Sequence, residues 1–141
     1  MRRDFGALDV WMLAIGDGTA TVIESPGGKV LLCDFGTRTG FDASTVGASF
    51  LKHRGIKRID AAYVSHPDFD HFSGIAGLAS QFDIGQVIIN DQFERLAAES
   101  PAAKDFLAML KKRNIPVQIT SGRHELEGLG EFHLESIWPP P

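Results

Sequence analysis

At 141 residues and 15.4 kDa the chain has the size of one domain, which excludes two independent cores. Hydrophobic residues at 43% and charged residues at 23%, with a mean hydropathy of −0.04, describe a folded soluble chain and exclude disorder over most of its length. A net charge of −4 speaks against a general nucleic-acid coat, and apolar runs such as Val30–Cys33 and Val87–Ile89 fall far short of the roughly 20 residues that span a bilayer.

Met1-Arg2-Arg3-Asp4-Phe5-Gly6 carries two cations with no apolar stretch behind them, so no signal peptide is expected and the expected location is cytoplasmic. Leu8–Ile15 alternates in part and Thr19–Glu24 is β-branched; the turn cluster Ser25-Pro26-Gly27-Gly28 leads into Lys29–Cys33. The N-terminal third therefore reads as strands in hairpins, the last of them closed by Asp34-Phe35-Gly36. Cys33, the single cysteine, sits in an apolar strand and is expected to be a buried thiol with no catalytic role. A helix is predicted from the N-cap Asp42 to Arg54, with Val46, Phe50 and Leu51 on one face and Gly55 as its stop. Ile59–Val64 reads as a buried strand, Ser73–Phe82 as a short helix packed on a sheet, and Gln86–Ile89 as another strand. The segment from Gln92 to Arg113 is helical but divided by Ser100-Pro101, and its last turn, Lys111-Lys112-Arg113, suits the negative end of a helix dipole. Pro116–Thr120 and Glu131–Ile137 read as two further strands joined by a Gly-rich turn, before the chain stops at Trp138-Pro139-Pro140-Pro141. The fold class is mixed α/β (α+β) in a single domain, residues 1–141.

Between the strand ending at Val64 and the helix from Ser73 lie His66, Asp68, Asp70 and His71, close-set residues of metal-binding type. Imidazole nitrogen and carboxylate oxygen suit Zn²⁺, Mn²⁺ or Fe²⁺. His66, Asp68 and Asp70 alternate along the chain and His71 must point elsewhere, an arrangement suited to two ions roughly 3.5–4 Å apart. Pro67 stiffens the approach. The bland reading, that these are ordinary polar turn residues with His66 or Asp70 capping the next helix, is outweighed by so many ligand types together after a buried strand.

The cluster His66-x-Asp68-x-Asp70-His71 resembles the H-x-[H/D]-x-D-H signature of the metallo-β-lactamase superfamily, and Asp68 in its second ligand position looks like the ComEC-type competence-protein branch. Leu13-Ala14-Ile15-Gly16-Asp17-Gly18-Thr19-Ala20 is similar to that branch's LDVGQGDA stretch. Ser25–Lys29 with Leu32–Gly36 is similar to its TPGGK and LIDGG, and Leu51–His66 continues the match. The resemblance implies an αββα sandwich and hydrolysis by activated water. His66 and Asp68 would then hold one metal, Asp70 and His71 a second, Asp70 would also orient the attacking water, and Asp34 would be the carboxylate behind the ligands. Zn²⁺ or Mn²⁺, as one or two ions, is the implied cofactor; Asp68 in place of a His makes the site harder and tilts it toward Mn²⁺.

Ala14 and Thr19 depart from the branch's pattern, and family domains run on for a second αβ half that this chain is expected to lack, covering only the N-terminal half to two-thirds of the fold. His53, His124 and His133 are expected to be ordinary histidines that do not fill that gap. Two functions follow. One is a metal-dependent hydrolase acting on a phosphodiester or other small molecule, with DNA as one such substrate by resemblance. The other is a catalytically incomplete fragment or interaction module, whose uncovered sheet face calls for a homodimer or the missing C-terminal half. The basic stretches Lys52-His53-Arg54 with Lys57-Arg58, and Lys111-Lys112-Arg113, are expected to be solvated or to compensate helix dipoles rather than to bind nucleic acid. An export-dependent β-lactamase role is disfavoured; glyoxalase and thioesterase roles stay open.

Overall fold

The computed structural model of the chain describes residues 6–39, 42–126 and 133–136. Three strands, β1 (Asp9–Met12), β2 (Gly18–Glu24) and β3 (Val30–Thr37), form an antiparallel meander. The turn before β3 is tied by Ser25 N–H donating to the Lys29 carbonyl and Gly28 N–H to the Ser25 carbonyl, both at 2.8 Å. From β3 the chain alternates strand and helix. In order come α1 (Ala43–His53), β4 (Arg58–Ile59), β5 (Ala61–Val64), α2 (Phe69–Leu78), β6 (Asp83–Ile84), β7 (Val87–Asn90), α3 (Asp91–Ala97), α4 (Pro101–Lys112) and β8 (Val117–Thr120). The main sheet has the order β1-β2-β3-β5-β7-β8, with β3, β5, β7 and β8 parallel. Helical crossovers connect those parallel strands because only such a connection returns the chain to the same edge. Their carboxyl ends consequently lie side by side, where open α/β sheets place their sites.

One face of the sheet carries the main core. Leu32, Val64, Val87 and Ile89 are fully buried with Leu51, Ile75, Leu78 and Leu110 from the helices; each such side chain contributes about 1.5–3 kcal/mol relative to exposure. Phe72 of α2 stacks on Phe106 of α4 with ring centroids 4.8 Å apart, joining two helices over the sheet. Arg54, 3% exposed at its side chain, caps α1 and donates from Nε to Glu24 Oε1 at 2.9 Å while lying over the Trp11 ring. The predicted Asp42 cap is present: its carboxylate accepts from the Ser44 N–H and from the Ser44 and Thr45 hydroxyls, which hold it below the usual carboxylate range.

The opposite face gathers Leu31, Ala61 and Ile88 with Ile23, Cys33 and Tyr63. Toward its β1 edge Val10 is 56% and Met12 81% exposed.

Several boundaries differ from the sequence reading. β3 does not close at Asp34: Thr21 pairs with Cys33 and Ala20 with Phe35, so Asp34 is an extra, bulged residue and the strand continues to Thr37. The strand predicted over Ile59–Val64 is broken at Asp60, whose carboxylate turns back to accept from Val30 N–H and Lys29 Nζ, both at 2.9 Å. The helix predicted from Ser73 begins at Phe69. β8 joins the main sheet instead of pairing with the last strand; β10 (Leu134–Ser136) pairs with β9 (His124–Leu126), which the sequence reading did not separate. The ends of the predicted Glu131–Ile137 strand, the Gly-rich turn before it and the Trp138–Pro141 terminus lie outside the described residues.

Candidate metal centre

The bulge at Asp34 places the first component. Its φ of +44° is left-handed, a conformation Asp tolerates better than most residues when its carboxylate is locally bonded. That carboxylate accepts from Ser65 N–H at 2.7 Å through Oδ1 and from the Ser65 hydroxyl at 2.7 Å through Oδ2. Oδ2 also lies 2.9 Å from His71 Nδ1. Asp34 thus bridges the middle of β3 to the residue that follows β5 and to the first turn of α2. The hydrogen-bond partner of Nδ1 is the Ser65 hydroxyl oxygen at 3.1 Å, the approach to Asp34 being a charge contact; since that hydroxyl gives its hydrogen to Asp34, its oxygen accepts at Nδ1, so the His71 proton belongs there and the lone pair on Nε2.

α2 supplies the next pair. Its early start, with Asp68 as N-cap residue, puts Asp70 and His71 on the first helical turn, so their placement comes from the helix and not from the alternation expected of a loop. Gly36 permits this closeness, because a Cβ there would lie 2.7 Å from the Phe69 carbonyl oxygen and the Ser73 nitrogen. The helix N-terminus favours the negative charge of Asp70. His71 Nε2 is 3.7 Å from Asp70 Oδ2, and the two side chains are 19% and 15% exposed. His66 leads in from β5; its Nε2 is 3.0 Å from Asp68 Oδ2, and its ring centroid is 4.1 Å from that of His71. All five residues singled out in the sequence, Asp34, His66, Asp68, Asp70 and His71, therefore meet at one sheet edge.

Three residues there were not anticipated. Ser65 is the donor that fixes Asp34. Asn90 ends β7, accepts the Phe93 N–H as the cap of α3 and donates its amide to the Ser65 carbonyl. Arg38, just past β3, reaches Asp68 Oδ2 with Nη2 at 3.1 Å and Asp70 Oδ1 with Nε at 2.9 Å. The first contact is also an aligned hydrogen bond, whereas the second is a charge contact only, since Asp70 Oδ1 is buried without a hydrogen-bond partner. Ser65 is visible as a motif neighbour, but nothing in the pattern around Arg38 signals its reach.

Chemically, the donors fit a hard or borderline divalent ion: two imidazoles and two carboxylates, one of which, Asp70, has a buried oxygen lacking a hydrogen bond. Among the described residues no three His, Cys, Asp or Glu side chains are set to hold an ion as they stand, the carboxylates being turned to Arg38.

Other candidates fall away. Burial, and then the Asp34 carboxylate beside it, pushes the Cys33 thiol up to about 12, which removes it as a nucleophile. Of the basic stretches, Arg54 is buried in its pair with Glu24, correcting the expectation of a solvated cation. Lys52 bonds Gln81, Arg58 pairs with Asp83, and Arg113 donates to the Ala79 carbonyl. His53 is exposed and His133 pairs with Glu125, while the His124 side chain lies outside what is described. No helix among the described residues is long and apolar enough to cross a membrane.

A comparison with curated proteins gives no match. Among solved structures the chain is similar to one described as "Peroxy diiron species of chemotaxis sensor ODP", with a TM-score of 0.58 and 17% identity over 89% of this chain. It spans 47% of that chain, about half its length, and the likeness is one of fold. The family model of the metallo-β-lactamase superfamily matches residues 14–141. The mixed α/β architecture agrees with part of that fold, and the chain belongs to the metallo-β-lactamase superfamily, whose members are generally metal-dependent hydrolases.

Proposed function

We propose that this chain carries the metal-binding part of a hydrolase acting on a phosphodiester, with His66, Asp68, Asp70 and His71 holding one or two ions, Zn²⁺ or Mn²⁺, and with a cytoplasmic location. The observation that carries the reading is the Asp34 clamp. A carboxylate on a left-handed bulge takes the hydrogen of the Ser65 hydroxyl, and that hydroxyl meets His71 Nδ1 at 3.1 Å, which leaves Nε2 as the ligating nitrogen of the imidazole. Side chains held this way are prepaid in orientation before any ligand arrives. When bound, the metal supplies Lewis acidity and brings the pKa of water toward neutrality. Asp70, half-buried in the first turn of α2, would accept a hydrogen from the attacking water and set its direction. Asp34, through the Ser65 hydroxyl, holds the proton of His71 at Nδ1, and Asn90 keeps Ser65 in place behind them. The phosphodiester, with DNA among the candidates, rests on the similarity of Leu13–Ala20 and of the Asp68-bearing motif to ComEC-type domains.

The test is elemental analysis and titration of the purified chain with Zn²⁺ and Mn²⁺, followed by hydrolysis of an activated phosphodiester. We expect stoichiometric binding, weakened at least tenfold in His66→Ala, and turnover abolished in Asp70→Ala with the fold intact by circular dichroism. Undiminished metal-dependent turnover in Asp70→Ala would remove the assignment.

The second reading, a catalytically incomplete module, is favoured by the exposure of Val10 and Met12 on the sheet's other face and by the half-length match. Under it, a homodimer or the remainder of the fold covers that face. A folded chain that binds no metal is its signature.

A further inference from the structure

The carboxylates at the proposed centre already face a cation, and the cation belongs to the chain. Arg38 is anchored through its backbone, whose N–H donates to the Asp17 carbonyl at 2.8 Å. From that fixed point its side chain, 55% exposed, extends to Asp68 and Asp70 together. Asp68 Oδ2, which takes the Arg38 Nη2 hydrogen, is the same oxygen that lies 3.0 Å from His66 Nε2. One guanidinium therefore draws on both carboxylates of the motif and on the oxygen shared with an imidazole. Its hold is uneven, being a directed hydrogen bond at Asp68 and an unaligned charge contact at Asp70.

We propose that Arg38 is a resident counter-cation, which neutralises Asp68 and Asp70 in the metal-free protein and must withdraw for a divalent ion to bind them. The inference rests on the metal-centre reading above. A guanidinium stays charged at any pH at which the protein is folded, so the competition is not relieved by deprotonation. Nor do the two cations share the same oxygens, because like charges a few ångströms apart repel most strongly where water is scarce, as around the buried Asp70 oxygen. Departure is nevertheless easy. Ion pairs of exposed side chains contribute little, and the half-exposed Arg38 regains water as it swings out on its fixed backbone. Arg38 thus sets an affinity threshold: it protects the carboxylates from mutual repulsion when metal is scarce and yields when metal is plentiful.

Calorimetric titration of wild type, Arg38→Gln and Arg38→Lys with Mn²⁺ and Zn²⁺, with thermal melts of the metal-free and loaded forms, tests this. Gln keeps a polar amide on a shorter stem and loses the charge; Lys keeps the charge but cannot fork between two carboxylates. Arg38→Gln is expected to bind metal about fivefold tighter, ~1 kcal/mol, with Arg38→Lys in between. Its metal-free form should melt below wild type while the loaded forms converge, a divergence that a merely structural arginine would not produce. Binding by wild type with equal or weaker affinity in both variants overturns the role of Arg38 and leaves the metal centre standing. Binding by Arg38→Gln alone supports both. Absence of binding in all folded forms removes the metal centre and the counter-cation together.

Discussion

Cys33 and Asp34 are neighbours with opposite fates. The thiol lies on the sheet's second face among Leu31, Ala61 and Tyr63, and the carboxylate is carried by the bulge to the site. With its pKa at about 12, Cys33 is almost wholly protonated at pH 8, about 10⁻⁴ thiolate against about a quarter for an unperturbed thiol near 8.5. Alkylation by iodoacetamide at pH 8 should run at least about 1,000-fold slower in the native chain than in the denatured one. The sign of the stability effect follows: a thiol whose pKa is raised by folding contributes stability that is present below its ordinary pKa and is lost as pH climbs toward 12. The melting temperature of Cys33→Ala should accordingly fall less than that of wild type between pH 9 and 11, and equal slopes would contradict the shift. The inert cysteine was legible from its apolar run. The left-handed φ of Asp34 was not, because a single bulged residue leaves no periodicity; its place near the motif was expected from resemblance alone, and the bulge is what turns its carboxylate to Ser65.

At the scale of elements, the contact that matters most is α2 on β3. Gly36 is where the helix's first turn meets the strand backbone, and an added methyl would press on Phe69 and Ser73 backbone atoms at 2.7 Å and the Asp70 carbonyl carbon at 2.8 Å. Backbone cannot yield as a flexible side chain can, so Gly36→Ala is expected to cost about 1–3 kcal/mol in urea unfolding. It should also weaken the proposed metal binding, since Asp70 and His71 ride on that turn. Unchanged stability would show that the helix can shift freely. Helix α1 was readable end to end because cap, apolar face and Gly55 all agree. Helix α2 was read short because Phe69, Asp70 and His71 look like loop chemistry, and what makes them helical is the seat that Gly36 provides. The break at Asp60 was similarly hidden, since the apolar pattern of Ile59–Val64 continues through it and the interruption comes from long-range bonds to Lys29 and Val30.

For the whole molecule, the two sheet faces are unequal. The helical face is closed by a continuous core, while the other has buried residues at its centre and Val10 and Met12 exposed at the β1 edge. Replacing Val10 by Thr and Met12 by Gln should lower binding of an apolar dye such as ANS and leave the melting temperature nearly unchanged, because exposed side chains contribute little to stability. A large loss of stability would mean that this edge is already packed. Alternation of strand and helix after β3 was legible in advance, without the parallel pairing it brings. The pairing of β8 with β7 was not, for an edge strand's partner is chosen by the sheet it meets, not by its own pattern. The segment from the bulge at Asp34 to His71 has one more consequence, in the order of synthesis. Asp34, Arg38, Ser65, His66, Asp68, Asp70 and His71 all leave the ribosome before β7, β8 and the long helix α4 exist. Only Asn90 arrives later, locking the Ser65 carbonyl from behind, so the polar cluster is complete in composition while the sheet is still growing and is made rigid by the strand that follows it.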